Sequence, residues 1–351
     1  MDQSHLITRA LEWAQCDVGL ETAAEVRQLV ERRDLEALGD RFARSLEFGT
    51  AGLRGLLGGG TNRMNRSTVI SATAGLARYL KQHVPDGATR GVVVGRDARH
   101  QSDVFARDVA AVLTAEGIVA HVFHDVVPTP LAAFAVKQLN AAAGVMVTAS
   151  HNPPAYNGYK VYWENGAQII PPHDVGIAAE IEKITAANGV ARLTEEQAIL
   201  AGLFKYVSDE VERLYVSAIL ALRPTKLTKG VSIVYSAMHG VGGRIAVDAL
   251  TQAGFSPVVV VTEQHEPNPD FPTVKFPNPE EKGAMALATA YAERDRSDLV
   301  LVNDPDADRL AVMARDAGGT LRMLSGNEVG LLLGHFLMSH AVVSKPLVVS
   351  T

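Results

Sequence analysis

The sequence predicts an α/β protein of two or three domains, and three observations carry that expectation. The chain has 351 residues, against about 150 for a typical domain. A strand, a polar glycine turn, a helix, a glycine stop and a second strand follow one another twice, the pattern of a βαβ unit. Hydrophobic residues make up 47% and charged residues 21%, an ordinary globular composition that rules out disorder as the dominant state.

The elements follow in order. Met1 to Gln15 reads as an amphipathic helix, with Leu6, Ala10 and Trp13 three and four residues apart, and helical patterning continues over the first forty residues. A glycine-dense stretch, Gly49 to Gly55 through Gly58-Gly59-Gly60, precedes a helix expected at Ser67–His83 and a turn at Pro85-Asp86-Gly87. The first βαβ copy runs from strand Gly91–Gly95 through helix Ser102–Glu116 and Gly117 to strand Ile118–Phe123. The second runs from Val231–Tyr235 through helix Arg244–Ala253 and Gly254 to strand Pro257–Val261. Between them a helix is expected at Leu131–Leu139 and a strand at Ala143–Thr148, and helical Tyr206–Leu222, ending at Pro224, is read as the inter-domain connection. Gly326–His340 reads as a helix and Pro346–Val349 as a strand, begun and not completed before Thr351, so the chain is expected to be a fragment or a truncated gene product.

Composition excludes several functions. Lys and Arg total 33 against 39 Asp and Glu, a net charge of −6, so no basic surface is expected to hold nucleic acid. The longest apolar runs fall short of the ~18 residues of a membrane span, and the N-terminus lacks the apolar core of a signal peptide. One cysteine, Cys16, excludes an internal disulfide and a cysteine-based zinc site. The expected location is the cytoplasm.

Chemistry concentrates in two loops that follow apolar strands. Asn303-Asp304-Pro305-Asp306-Ala307-Asp308-Arg309 comes directly after Leu299–Val302. In extended backbone Asp304, Asp306 and Asp308 would point the same way. Two carboxylates about 4 Å apart repel by about 4 kcal/mol at an effective dielectric near 20, so three call for a cation. Oxygen-only donors suit Mg²⁺ or Ca²⁺, and Mg²⁺ better where a phosphate also coordinates. An EF-hand would need Gly and Glu where Arg309 and Arg315 stand, and the bland alternative is a solvated acidic turn.

The second loop, Thr148-Ala149-Ser150-His151-Asn152-Pro153-Pro154, follows Ala143–Val147, at the kind of strand end where open α/β sheets bind ligands. Ser150 is a candidate nucleophile or phosphoryl carrier. Thr148 and Asn152 stand where a nucleophile elbow needs glycines, and a polar turn is the alternative. Lys160 offers a cation for phosphate or for proton transfer. The glycine loops at Gly58-Gly59-Gly60 and at His239-Gly240-Val241-Gly242-Gly243 could cradle phosphate on their amides, or be plain tight turns. Arg54 is a phosphate candidate because neighbouring glycines let a ligand approach.

Taken in order, Gly49-Thr50-Ala51-Gly52-Leu53-Arg54-Gly55, Gly95-Arg96-Asp97-Ala98-Arg99, Thr148-Ala149-Ser150-His151-Asn152-Pro153 and Asp304-Pro305-Asp306-Ala307-Asp308-Arg309 resemble the α-D-phosphohexomutases. The prolines of Pro267–Pro272 and Pro277–Pro279 also fit. Met238-His239-Gly240-Val241-Gly242-Gly243 and the long N-terminal helix are most similar to the phosphoglucomutase/phosphopentomutase branch. The resemblance implies two complete phosphohexomutase-type α/β domains, with mixed sheets flanked by helices, plus the start of a third. It places them at 1–206 (serine loop), 207–322 (metal loop) and 323–351. It implies a mutase moving a phosphoryl group between the 1- and 6-positions, or the 1- and 5-positions, of a sugar phosphate by way of a bisphosphate. Catalytic roles would fall to Ser150, His151, Lys160 and Arg54. Ser150, Asp304, Asp306 and Asp308 would hold one Mg²⁺, and Arg54, Lys160, Arg309 and His239 would bind phosphate. The substrate would be a sugar monophosphate, with a sugar bisphosphate as activator; glucose, mannose and pentose are not distinguished, and oligomeric state is not legible. Because the sugar-reading regions of the family's third and fourth domains are absent from these 351 residues, Mg²⁺ binding with little or no mutase activity is expected. The alternatives are a metal-dependent sugar-phosphate phosphatase and a non-catalytic sugar-phosphate-binding fragment.

Overall fold

The computed structural model describes residues 3–50, 52–223, 230–281 and 283–340. The strand expected at Pro346–Val349, Thr351, Pro224 and Ala51 lie outside them. The chain divides into two compact units, Met1–Glu212 and Arg213–Thr351.

The first unit is built on a six-stranded mixed sheet. Its strands are β1 (Leu53–Leu56), β2 (Val92–Arg96), β3 (Ala120–Val122), β4 (Ala143–Val147), β5 (Tyr156–Trp163) and β6 (Phe204–Tyr206), in the spatial order β1-β5-β4-β2-β3-β6. β4, β2, β3 and β6 run parallel, and β5 is antiparallel to both β4 and β1. All five residues of β4 are buried, as expected for a strand covered on both faces. Helices Arg66–His83, Ser102–Ala115 and His173–Glu182 flank this sheet, and Leu76, Leu80, Phe105, Val109, Val94 and Val145 form part of its core. Asn65 starts the first of these helices by accepting the Thr68 amide on its side chain.

Residues 3–42 form three helices, Gln3–Cys16, Leu20–Glu31 and Leu35–Phe42, around a core of their own that includes Leu6, Ala10, Val26, Leu38 and Phe42. These helices dock on the Gly58-Gly59-Gly60 loop, which corrects the phosphate-cradle reading of that segment. The Gly59 amide donates to Glu25 Oε2 at 2.8 Å, and Arg41 donates to the Gly59 carbonyl at 2.9 Å while pairing with Glu25. A Cβ on Gly59 would lie 2.6 Å from the Thr22 carbonyl oxygen. The glycines serve close packing against the helices, and the amide is taken by a carboxylate.

The second unit carries a five-stranded sheet of β7 (Ile233–Ser236), β8 (Val258–Val260), β9 (Leu299–Asn303), β10 (Leu310–Arg315) and β11 (Leu321–Leu324), ordered β11-β10-β9-β7-β8. β8, β7 and β9 are parallel, and β10 and β11 return as antiparallel hairpins. Helices Gly243–Gln252 and Ala286–Asp295 belong to this unit. Helix Gly326–Ser339 follows, its start closed by a reciprocal Ser325–Glu328 capping box.

The expected inter-domain helix begins later than predicted. Tyr206 ends β6, and the helix spans Asp209–Ala221 and contains the boundary between the units.

Candidate active site

In the first unit, β2 and β4 lie side by side in parallel register, Arg96 opposite Val147, so the loops after them emerge at one edge. The first loop supplies a buried ion pair, Asp97 and Arg99, with Arg99 Nε 3.3 Å from Asp97 Oδ2. The second supplies Ser150. Arg99 spreads its guanidinium over three carbonyls of that second loop and one at the start of β5. It donates to Ser150 at 2.7 Å, Asn152 at 2.5 Å, Pro153 at 2.9 Å and Tyr156 at 3.2 Å. Asp97 accepts the Arg99 amide at 3.0 Å and the Ser102 hydroxyl at 2.7 Å. Burial pushes the Asp97 carboxyl up, against the pull of the neighbouring Arg99.

Ser150 is buried and left-handed, with φ 53°, a conformation uncommon for a residue with a side chain. Its amide donates to Thr148 Oγ1 at 2.9 Å, and its hydroxyl shares a 3.2 Å hydrogen bond with His151 Nδ1. Arg54, on edge strand β1, donates to Asn152 Oδ1 at 3.3 Å. Lys160 sits on β5 opposite Met146, with its side chain buried. The strand pairing fixes the spacing of these elements: Gly158 lies opposite Arg54, and Thr148 donates its amide to the Gly158 carbonyl at 3.2 Å. A Cβ on Gly158 would lie 2.5 Å from the Thr148 carbonyl oxygen and 2.7 Å from that of Leu53. Only glycine lets both strands approach there. Ser150, His151, Arg54 and Lys160 therefore gather around one strand end of one unit.

In the second unit, the acidic loop follows β9. Asp304, Asp306 and Asp308 each present a carboxylate oxygen within 4.8 Å of the others, the first two buried and the third exposed. The extended-backbone expectation for this convergence is corrected. Residues after β9 fold back in a turn, with Ala307 left-handed at φ 57° and its amide donating to the Asp304 carbonyl at 2.9 Å. Folding back, and not strand alternation, brings the acids together. The Arg309 amide donates to Asp304 Oδ1 at 2.9 Å, and the Arg309 side chain is exposed. Burial, with Asp306 and Asp308 adding like charge, pushes Asp304 up to about 8. Three such oxygen donors in a partly desolvated turn fit a hard divalent cation such as Mg²⁺, whose charge would let all three ionise.

His239 belongs to the loop after β7, which packs on the acidic turn. The Val241 amide donates to the Pro305 carbonyl at 2.8 Å, and a Cβ on Gly240 would lie 2.4 Å from Pro305 Cα. The His239 ring is buried, which holds it below the ordinary imidazole range, and Nε2 hydrogen-bonds Thr273 Oγ1 at 2.8 Å. Thr273 in turn accepts from Gln264 Nε2 at 2.8 Å. Asp97 and Arg99, Thr148, and Thr273 with Gln264 beside His239 hold these loops without a sequence motif that marks them for that task. For Asp97 and Arg99 the usable signal was a charged pair at the carboxyl end of a parallel strand.

Two family models match this chain. Phosphoglucomutase/phosphomannomutase alpha/beta/alpha domain I covers residues 45–188, and domain II covers 213–319. The chain belongs to the phosphoglucomutase/phosphomannomutase family. Within the family it is 44% identical over 344 residues to the probable phosphoribomutase of Schizosaccharomyces pombe, covering 96% of this chain and 58% of that protein. It is 39% identical over 348 residues to the phosphopentomutase of Homo sapiens, covering 96% of this chain and 57% of that one. It thus spans less than three-fifths of the length of these curated relatives. A phosphoglucomutase/phosphomannomutase family protein from Burkholderia thailandensis superposes with a TM-score of 0.65 at 23% identity, over 82% of this chain and 57% of that one, and so shares its fold. The serine loop lies in the domain I match and the acidic turn in the domain II match. Among the described residues no helix is long and apolar enough to cross a membrane.

Proposed function

We propose that this chain carries the phosphoryl-transfer half of a phosphosugar mutase, with Ser150 as phosphoryl carrier and Asp304, Asp306 and Asp308 as metal ligands. The domains would be 1–206 and 207–322, with a third beginning at 323–351. The observation that carries the reading is the pair of strand-end loops: one presents a buried left-handed serine beside His151, the other three converging carboxylates. Phosphoryl transfer asks for positioning and charge neutralisation more than for covalent chemistry by the protein, and these two loops offer both.

In the forward step a hydroxyl oxygen of the sugar monophosphate bonds to phosphorus as the bond to Ser150 Oγ breaks. The hydroxyl proton passes to His151 or Lys160 acting as base, and a proton is returned to the departing Ser150 Oγ, which leaves as the hydroxyl. The resulting bisphosphate turns around and returns its other phosphoryl group to Ser150. Arg54, Lys160, Arg309 and His239 would receive phosphate oxygens. One Mg²⁺, held by Ser150 and the three aspartates, would supply neutralisation of the transferring group, and a sugar bisphosphate would charge an unphosphorylated serine. The relatives' names, phosphoribomutase and phosphopentomutase, favour a pentose phosphate with exchange between the 1- and 5-positions over a hexose with exchange between the 1- and 6-positions. We place the enzyme in the cytoplasm.

The test supplies a sugar bisphosphate and Mg²⁺ to the 351-residue chain and follows the fate of the phosphoryl group. The reading expects monophosphate product and phosphate on Ser150, abolished by Ser150→Ala, with little steady-state interconversion by this chain alone. Release chiefly as inorganic phosphate would support the phosphatase reading. No uptake would support a binding fragment.

A further inference from the structure

The conformation of Ser150 is held at both of its backbone ends, by Arg99 at the carbonyl and by Thr148 at the amide. Its carbonyl accepts from Arg99 Nη2 at 2.7 Å, and Arg99 is paired with Asp97. Its amide donates to Thr148 Oγ1 at 2.9 Å, two residues earlier in the same loop. Arg99 and its ion-pair partner Asp97, which is 1% exposed, stand in a loop that follows a different strand from the serine loop, whereas Thr148 acts from within it.

We propose that Asp97, Arg99 and Thr148 form a backbone clamp whose task is to keep Ser150 left-handed, so that its hydroxyl is aimed for phosphoryl transfer. This rests on the reading of Ser150 as phosphoryl carrier. None of the three is offered as touching substrate; they are positioning residues. An unclamped residue at φ 53° relaxes toward the ordinary region, because the left-handed well is disfavoured for a residue that carries a side chain. That relaxation swings Oγ away from its line of attack. Misplacing a reacting atom by about 1 Å can cost about a hundredfold in rate.

Thr148 allows a test that keeps the packing. Thr148→Val retains the shape and removes the hydroxyl; Thr148→Ser retains the hydroxyl. Single-turnover transfer from ribose 1,5-bisphosphate to Ser150 is followed by intact mass at several bisphosphate concentrations, alongside backbone hydrogen exchange of the 147–153 segment and thermal melting. The clamp predicts that Thr148→Val slows transfer about a hundredfold at unchanged half-saturating bisphosphate and unchanged Mg²⁺ requirement, with faster exchange in the segment. It predicts that Thr148→Ser restores the rate to within about threefold, and that both variants melt cooperatively. Wild-type rate in the valine variant, or equal losses in both variants, would overturn it. If the wild-type chain takes up no phosphate on Ser150, the mutase reading fails and the catalytic role of the clamp fails with it. Unchanged exchange in the valine variant, by contrast, rejects the clamp alone and leaves the mutase reading standing.

Discussion

The serine loop and the acidic turn solve the same placement problem with opposite electrostatics. Each follows a parallel strand, β4 in one sheet and β9 in the other, and each reverses at a left-handed residue, Ser150 at φ 53° and Ala307 at φ 57°. Each is also pressed by a glycine that admits no Cβ, Gly158 against Thr148 and Gly240 against Pro305. The serine loop is held by a balanced pair from the loop beside it: the Arg99 cation gathers its carbonyls and the Asp97 anion balances Arg99. The acidic turn concentrates three carboxylates, and its Asp304 is pushed up to about 8. On the proposed reading, one loop is complete as folded, whereas the other would be completed by a cation: a carrier must keep its aim between turnovers, and a metal site its affinity for an ion it exchanges with solvent.

The largest effect that should separate the two loops is that of Asp306→Asn. Removing a buried ligand charge is expected to weaken Mg²⁺ binding by more than a hundredfold, beyond the roughly 10- to 100-fold typical of outer-shell changes. Calorimetric titration reads the affinity, and exchange protection of the 147–153 segment should not change. Loss of protection in both loops would break the comparison.

Next come the two glycines. Gly158→Ala and Gly240→Ala each force a Cβ to within 2.5 Å and 2.4 Å of backbone atoms, and overpacking of this kind costs about 1–3 kcal/mol. Thermal melting should fall for both. Gly158→Ala is expected to leave Mg²⁺ affinity intact and slow phosphoryl uptake, whereas Gly240→Ala should weaken Mg²⁺ binding because it displaces Pro305 within the acidic turn. Equal effects on Mg²⁺ affinity would remove the distinction.

The smallest effect is pH dependence. Asp304 has a folded value near 8, above its ordinary 3.8, so between those limits the folded, metal-free protein binds more protons than the unfolded chain. Stability contributed by the protonated form is present below about pH 4 and is lost as pH rises toward 8. Melting temperature measured with a chelator should therefore fall over that window, and saturating Mg²⁺ should flatten the fall. An identical pH profile with and without Mg²⁺ would separate the carboxylates from the metal.

Much of both loops was legible because chemistry-bearing residues stood directly after short apolar strands, at Ala143–Val147 and Leu299–Asn303. The two βαβ copies were legible for the same reason, with glycine stops in the left-handed region at Gly117 and Gly254. What was not legible was pairing. β5, which carries Lys160, gives no strand signal because seven of its eight residues are buried and it shows no alternation. β1 looked like a glycine loop because its partner lies a hundred residues away. The convergence of the aspartates was anticipated, but its cause, a turn through left-handed Ala307, leaves no mark in an Asp-x-Asp-x-Asp spacing. Arg99 could be seen as a charge; that it serves four carbonyls around residue 150 depends on the adjacency of β2 and β4, which sequence spacing does not state.

The most direct measurement is crystallographic: the phosphorylated chain grown with Mn²⁺ and its anomalous signal mapped. A single peak bonded to carboxylate oxygens of Asp304, Asp306 and Asp308 and to a phosphate oxygen on Ser150 is predicted. A metal bound by the aspartates with Ser150 beyond coordinating reach in every crystal form, or a phosphate carried on another residue, would contradict it.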